Sequence, residues 1–590
     1  MARLDYFAPG VYVEEINRGS RAIQGVNLSV AGFVGFTEDV RGDAELFEPV
    51  LITSWSQYLE NFAKVGSDGF AKFKRPYRKT CWAYLPFAVK GWFENGGGRC
   101  WVVSIGTKLP LPEETPDTTR EETVQPTLTT VRTTGRKPSL EFRLKESKEE
   151  EGRVRLLIQS DEPRPPEDPE EEPFNTGEYF RITVQRGPEV LEGPFEHLTM
   201  QPPETATSEE LEAGTYVLEA LQDSEYLDVS LATDDRTGAI INPQEALPLS
   251  LRPSNGVYEV RPRDRQYDTK RWYRETYGSE RRKTGVQGLF QIDEIAMVAC
   301  PDLMLAYQER LISLQQLHGI MEMMITSCEN SAPGPAYRMA VIDPPPVKPG
   351  KSDLPVLPER QKPQDVESWL MDSFGRRSQF AALYYPWMQV PNPGDAGNPI
   401  SVPPCGHMMG LWCRTDETRG IHKAPANEVP RGIIGLSYEV NFREQELLNP
   451  VGINCIRKFR NRGTLVWGAR TLAQKDDTDW RYVSVRRIMS YIEKSIEEGT
   501  QWAVFEPNDE DLWARVTRTV KNFLERIWRQ GALFGSTPEE AFYVKCDAEL
   551  NTPETMKLGQ LFIEVGVSPV RPAEFVVFRV SQWDPSQDRG

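Results

Sequence analysis

The feature that most constrains this chain is a change of character in its middle. Two stretches patterned for mixed helix and strand flank a long segment dense in Asp, Glu, Pro and Thr, running from about residue 107 to 284. Such a segment cannot bury enough apolar surface to continue an α/β layer, so it reads as an insertion into one.

The first body is alternating structure. Residues 11–16 carry Val11, Val13 and Ile16 in an extended run after the turn pair Pro9-Gly10. Residues 30–36 form a small-residue apolar strand. Trp55, Tyr58, Leu59 and Phe62 then follow at helical spacing behind the capping pair Thr53-Ser54. A second helix over 84–93 stops at Asn95-Gly96, and residues 101–105 read as a buried strand.

Within the insertion, residues 154–158, 179–184 and 226–229 are short strands between turn-rich linkers. They predict one or two β-rich domains with an acidic surface. A second α/β body begins near residue 285. Its clearest helices cover 480–498 and 509–530; the latter has Leu512, Val516, Val520, Phe523 and Ile527 in one apolar stripe, with Asn508 as N-cap. Residues 575–580 alternate as a final strand carrying Phe575, Val577 and Val580.

Bulk properties exclude several classes. A chain of 590 residues suggests three to five domains. A formal net charge of -18 works against binding nucleic acid or anionic membranes. Eight scattered cysteines without a CxxC pair read as buried thiols in a reducing compartment. The N-terminus has no apolar leader and no run is long enough to span a bilayer, so cytoplasmic synthesis and assembly are expected.

Four constellations could carry chemistry. Gly96-Gly97-Gly98 lies between helix and strand, the reverse of a phosphate loop, and reads as a tight turn. Cys405, His407 and Cys413 lack a fourth zinc ligand, and His422 reads as a structural loop contact. Residues 261–283 interleave basic and aromatic side chains, but threaded acids favour a solvated or intersubunit surface over a nucleic-acid platform. The helix at 509–530 shows Arg515, Arg518 and Arg529 away from its stripe, which without further information is a solvated face. No catalytic, metal or cofactor site is expected.

Several ordered stretches resemble the contractile tail sheath family. They are Ala8-Pro-Gly-Val-Tyr-Val-Glu-Glu15, Val30-Ala-Gly-Phe-Val-Gly35, and Trp92-Phe-Glu-Asn-Gly-Gly-Gly-Arg-Cys-Trp-Val-Val103 near the start. In the second body they are Ala381-Ala-Leu-Tyr-Tyr-Pro-Trp387, Val402-Pro-Pro-Cys-Gly-His407, Arg414-Thr-Asp416 and Arg419-Gly-Ile-His-Lys-Ala-Pro-Ala-Asn427. The series continues with Leu448-Asn-Pro-Val-Gly-Ile-Asn454, Gly463-Thr-Leu-Val-Trp-Gly-Ala-Arg-Thr471 and Arg571-Pro-Ala-Glu-Phe575. The insertion carries little of this resemblance beyond Phe195-Glu-His-Leu-Thr199.

The resemblance implies a multidomain α/β (α+β) fold, its core assembled from the N- and C-terminal parts of the chain. The expected division is a strand-donating arm at 1–24, core at 25–106, an outer β-rich insertion at 107–284, core again at 285–570 and a second arm at 571–590. It also implies a homo-oligomer of hexameric rings stacked as a helical polymer around an inner tube protein, with baseplate and terminal cap proteins as further partners. Neither nucleic acid nor membrane insertion is implied. Val11, Val13, Ile16, Phe575, Val577 and Val580 would pair between subunits, while Arg515 and Arg518 become candidates for tube contacts. The rival readings are another structural component of the same particle, such as a baseplate or cap protein, or a glycan-binding or hydrolytic protein.

Overall fold

The computed structural model describes residues 22–73, 81–110, 129–135, 137–145, 148, 154–165, 179–187, 189–232, 240, 251–260, 268–330, 336–349, 354–395 and 398–578. It divides into two compact units, one of residues 1–113 with 268–590 and the other of residues 114–267.

The first unit is built on an eight-stranded sheet. Its strands are β1 (Val30–Gly35), β2 (Pro49–Ile52), β3 (Arg99–Ser104), β4 (Met297–Ala299), β5 (Met339–Ile342), β6 (Ala381–Tyr385), β7 (Ile453–Phe459) and β8 (Gly463–Val466), in spatial order β2-β3-β1-β4-β5-β6-β7-β8. Pairing is parallel from β3 through β7 and antiparallel at the two edges. The central join is β1 to β4, with Ala31 opposite Met297 and Phe33 opposite Ala299. Residues from the parts of the sequence before and after the insertion therefore share one sheet, as expected. Every residue of β1, β4, β5 and β6 is buried, which is why these strands are continuous apolar runs rather than alternations.

Helices α1 (Trp55–Phe62) and α2 (Leu85–Glu94) fall where the periodicity places them, the first capped by Ser54 accepting from Gln57 N. Helix α3 (Cys405–Arg419) packs against α2 through a seam of glycines. A Cβ at Gly406 would lie 2.3 Å from the Ala88 carbonyl oxygen, and one at Gly410 would lie 2.5 Å from that of Trp92.

Helices α4 (Val483–Thr500) and α5 (Glu510–Arg529) form the C-terminal part. The expected stripe on α5 is the core of that part, with Leu512, Val516, Val520, Phe523 and Ile527 all buried. The cap differs from expectation. Asp509, not Asn508, accepts from Leu512 N, while Asn508 accepts from the Trp513 indole and donates to the Gln560 carbonyl. Both neighbours can cap a helix, and the indole claims one of them.

Two features tie the N-terminal segment to these helices. Val26 N donates to Ser495 Oγ, and Arg526 donates to the Ile23 carbonyl. Arg487 on α4 is buried, donates through Nη1 and Nη2 to the two oxygens of Asp416 at 2.8 and 2.6 Å, reaches the Leu28 carbonyl and stacks on Trp412.

The second unit packs a five-stranded and a three-stranded antiparallel-rich sheet around one core. Leu140, Phe142 and Leu144, then Val154, Leu156 and Ile158, then Phe180, Ile182 and Val184 enter it at every second position. Residues 268–284, read from sequence as insertion, lie in the first unit. There Trp272, on the helix Thr269–Tyr277, is buried, donates to the Ile105 carbonyl and stacks on Phe36. It is therefore a core side chain and not part of a stacking surface; residues 261–267 lie outside the described residues.

Candidate assembly site

The places where α/β folds usually hold ligands are filled by this chain's own groups. Open sheets bind ligands at the carboxyl ends of their parallel strands, often against a helix N-terminus. Here Asp302, just past β4, accepts from Phe36 N at 2.7 Å, Tyr84 N at 2.6 Å and Leu85 N at 3.2 Å, so it occupies the N-terminus of α2. Asp343, just past β5, accepts from Cys405 N at the start of α3 at 3.0 Å. Burial pushes both carboxyls up to about 7, against the N–H donors that hold them down.

That shift has a signed consequence. A carboxyl raised in the folded state stabilises most below its unfolded value of 3.8, and the contribution is lost as pH rises through about 7. Asp343→Asn should therefore gain on the native protein between pH 4 and pH 8, by up to about 4 kcal/mol. Paired thermal melts across that range check it; a pH-independent difference would contradict it.

The other sequence candidates are structural in their settings. The glycine turn folds back on an indole: a Cβ at Gly97 would sit 2.0 Å from a ring carbon of Trp92. Asn95 ties it to the Arg431 backbone through both amide groups. Cys405, His407 and Cys413 share helix α3 and are buried, and no group of three metal-type ligands occurs among the described residues. The His407 ring packs on Gly91, and burial lowers its pKa to about 4. His422 lines an open cavity of about 1030 Å³ beside Asp416, Arg419 and Tyr491.

Among the described residues, an open-edged sheet and a bare apolar run occur together in the C-terminal part. Strands β9 (Phe542–Lys545) and β10 (Glu564–Val567) form a two-stranded antiparallel sheet, Phe542 opposite Val567 and Lys545 opposite Glu564. Among the described residues each has one edge without a strand. Its inner face, Phe542, Val544, Val565 and Val567, packs into the α5 core, and Tyr543 faces out. Two strands alone are marginal, and open edges are templates for pairing.

The chain then runs past Ala532 and Phe534, to which residues 568–570 are hydrogen-bonded, and ends its described part in a bare apolar segment. Phe575, Val576, Val577 and Phe578 are 72, 70, 80 and 83% exposed. Sequence reasoning placed a strand at 575–580. Residues 575–578 form no ladder here, because a strand needs a partner and the described part of this chain offers none. Val11, Val13, Ile16 and Val580 lie outside the described residues.

Of the two arginines singled out on α5, Arg515 is already engaged. It donates to Glu506 Oε2 at 3.1 Å and lies over the Trp502 ring. Arg518 is exposed and has no ion pair among the described residues.

Comparison with known proteins finds sheath domains in the C-terminal part of the chain. The phage tail sheath protein central domain matches residues 374–472, and the phage tail sheath C-terminal domain matches residues 475–582. The chain is 30% identical over 189 residues to a prophage major tail sheath protein of Pseudomonas aeruginosa (strain UCBPP-PA14), covering 31% of this chain and 46% of that protein. It is 25% identical over 214 residues to the tail sheath protein of Salmonella phage ViI, covering 35% of this chain and 32% of the other. These likenesses, carried by residues 374–582, support a contractile tail sheath family.

The match spans less than half the length of these curated relatives. The fold extends the likeness over nearly the whole chain. The anti-feeding prophage helical sheath in its contracted state superposes with a TM-score of 0.50 at 22% identity, covering 98% of this chain and 100% of that one. The sheath complex of an extracellular contractile injection system, PVC, also contracted, gives 0.50 at 20%, covering 99% and 100%. The sheath domains thus coincide with the part that carries the open two-stranded sheet and the bare apolar run.

Proposed function

We propose that this protein is the structural sheath subunit of a phage tail or tail-like injection particle, working by polymerisation and not by catalysis. Subunits form hexameric rings stacked helically around an inner tube, bounded by baseplate and cap proteins, and assemble in the cytoplasm. The single observation that carries this reading is the exposed apolar run at Phe575–Phe578, in a chain whose C-terminal sheet has open strand edges among the described residues. Added to a neighbour's sheet, such a segment gains a ladder and a buried face at once. Val11, Val13 and Ile16 at the other end, with Val580, would serve the same exchange. Head-to-tail contacts of this kind do not close and generate a filament.

The mechanism follows from the linkage. Strand pairs between chains let subunits rotate while the mesh stays joined. The extended lattice is kinetically trapped on the tube, and release at one end lets the core units repack into a shorter, wider lattice that drives the tube forward. Negative-stain microscopy of the purified chain tests the reading: tubular polymers are expected, and a monomer persisting at high concentration would refute it.

Arg518, with Arg515 second because Glu506 already engages it, is the candidate contact to the tube. Reversing both to Glu should weaken tube binding at least tenfold and leave self-polymerisation intact. Exposed charges of this kind are screened, so the effect should shrink as salt rises. Co-sedimentation with purified tube measures both; unchanged binding would remove these residues from the interface.

A further inference from the structure

Three stretches distant in sequence, 448–454, 463–471 and 571–575, each send a polar side chain to one point. Glu574 Oε1 accepts from Asn449 Nδ2 at 2.7 Å and from Arg470 Nε at 2.9 Å. Its Oε2 accepts from Tyr482 OH at 2.9 Å and from Arg470 Nη2 at 2.5 Å. The carboxylate thus uses all of its ordinary acceptor capacity.

Arg470 is itself held to the sheet. Its Nη1 donates to the Asn449 carbonyl at 3.1 Å, and its backbone N donates to Asn454 Oδ1 at 2.6 Å. Asn454 in turn donates to the carbonyls of Arg470 and of Leu383 in β6. A continuous chain of hydrogen bonds therefore runs from the central sheet to the Glu574 carboxylate. Burial alone would raise the Glu574 carboxyl, but the bonds from Arg470, Asn449 and Tyr482 outweigh it and hold it below the ordinary carboxylate range.

The next residue, Phe575, is 72% exposed. Within one residue the chain passes from a fully partnered polar socket to an unpartnered apolar run. A tail that merely docked on its own body would bury its apolar residues; this one is fixed where they begin.

We infer that the Asn449–Arg470–Tyr482–Glu574 cluster is the anchor that sets where and in which direction the C-terminal arm leaves its own subunit, making Glu574 a positioning residue for exchange between subunits. The inference rests on the arm exchange proposed above. Its physical effect is twofold. A fixed exit point raises the effective concentration of the arm at its acceptor. It also removes slack: freeing residues 571–574 would add roughly 13 Å of reach at about 3.3 Å per residue, so subunit rotation would be taken up by loose chain.

The test compares polymerisation of the full chain with Glu574→Ala, Glu574→Gln, Tyr482→Phe and a chain ending at residue 574. Glu574→Ala is expected to stay folded by circular dichroism and to need at least tenfold more protein to polymerise. Glu574→Gln, which keeps an acceptor, should recover part of that loss. Tyr482→Phe removes a single bond and should give a smaller loss of the same kind, which keeps the question answerable if Glu574→Ala does not fold. If Glu574→Ala or Tyr482→Phe polymerises like the native chain while the truncated chain does not, the anchor is refuted and arm exchange stands. If the truncated chain polymerises normally, arm exchange and the anchor fall together.

Discussion

A chain ending at residue 574 should fold normally and form no tubes. The deleted segment begins with Phe575, Val576, Val577 and Phe578, which make no ladder and bury little in the subunit, so losing these four removes almost nothing from the folded state. In a lattice the account changes. A strand added to a sheet turns alternate side chains inward, and two large apolar groups are worth about 3–6 kcal/mol when fully buried. About 3 kcal/mol per joint is roughly a hundredfold in the concentration needed to polymerise, and every subunit carries the joint. Sedimentation alongside a thermal melt separates the two effects. Unchanged melting with abolished pelleting is expected; polymerisation within a few-fold of native would contradict it.

Asp416→Ala should be the most damaging single substitution within the core, costing about 3–5 kcal/mol, because it strands a buried guanidinium. Arg487 is 3% exposed and spends two of its donors on Asp416. It also holds the Leu28 carbonyl just ahead of β1, so the loss should loosen the packing of residues 22–29 on α4. The chain offers a clean readout. All fourteen tryptophans fall outside residues 114–267, so their fluorescence follows the unit that contains the pair and ignores the other. A urea curve by tryptophan emission should shift strongly. A change below about 1 kcal/mol would mean the pair contributes as little as an exposed one.

Much of this architecture was legible because it is local. The α5 stripe, the strand carrying Val154, Leu156 and Ile158, and the glycine stop after α2 are patterns of a few turns or residues, and the structure follows them. The bare apolar run at 575–578 was visible too, although its state in an isolated chain was not, since a ladder is a property of two strands. The polar work of the fold was illegible. Asp302 binds three backbone N–H groups, which leave no mark in the side-chain sequence. Glu574 gathers partners more than 90 residues away, so its motif showed only that Arg571-Pro-Ala-Glu-Phe575 recurs in a family and gave no hint of Arg470 or Asn449. Trp272 sat among arginines and tyrosines and still went inward, because the Ile105 carbonyl and the Phe36 ring were waiting there.

The central claim is that the apolar run after Glu574 is completed by another copy of the chain. A helical reconstruction of polymers grown from the purified protein tests it most directly. The account predicts continuous backbone density for residues 575–578 hydrogen-bonded as a strand to a neighbouring subunit, with Glu574 still in its own subunit's socket. A polymer in which those residues fold back on their own subunit, or lie unpaired in solvent, would contradict it.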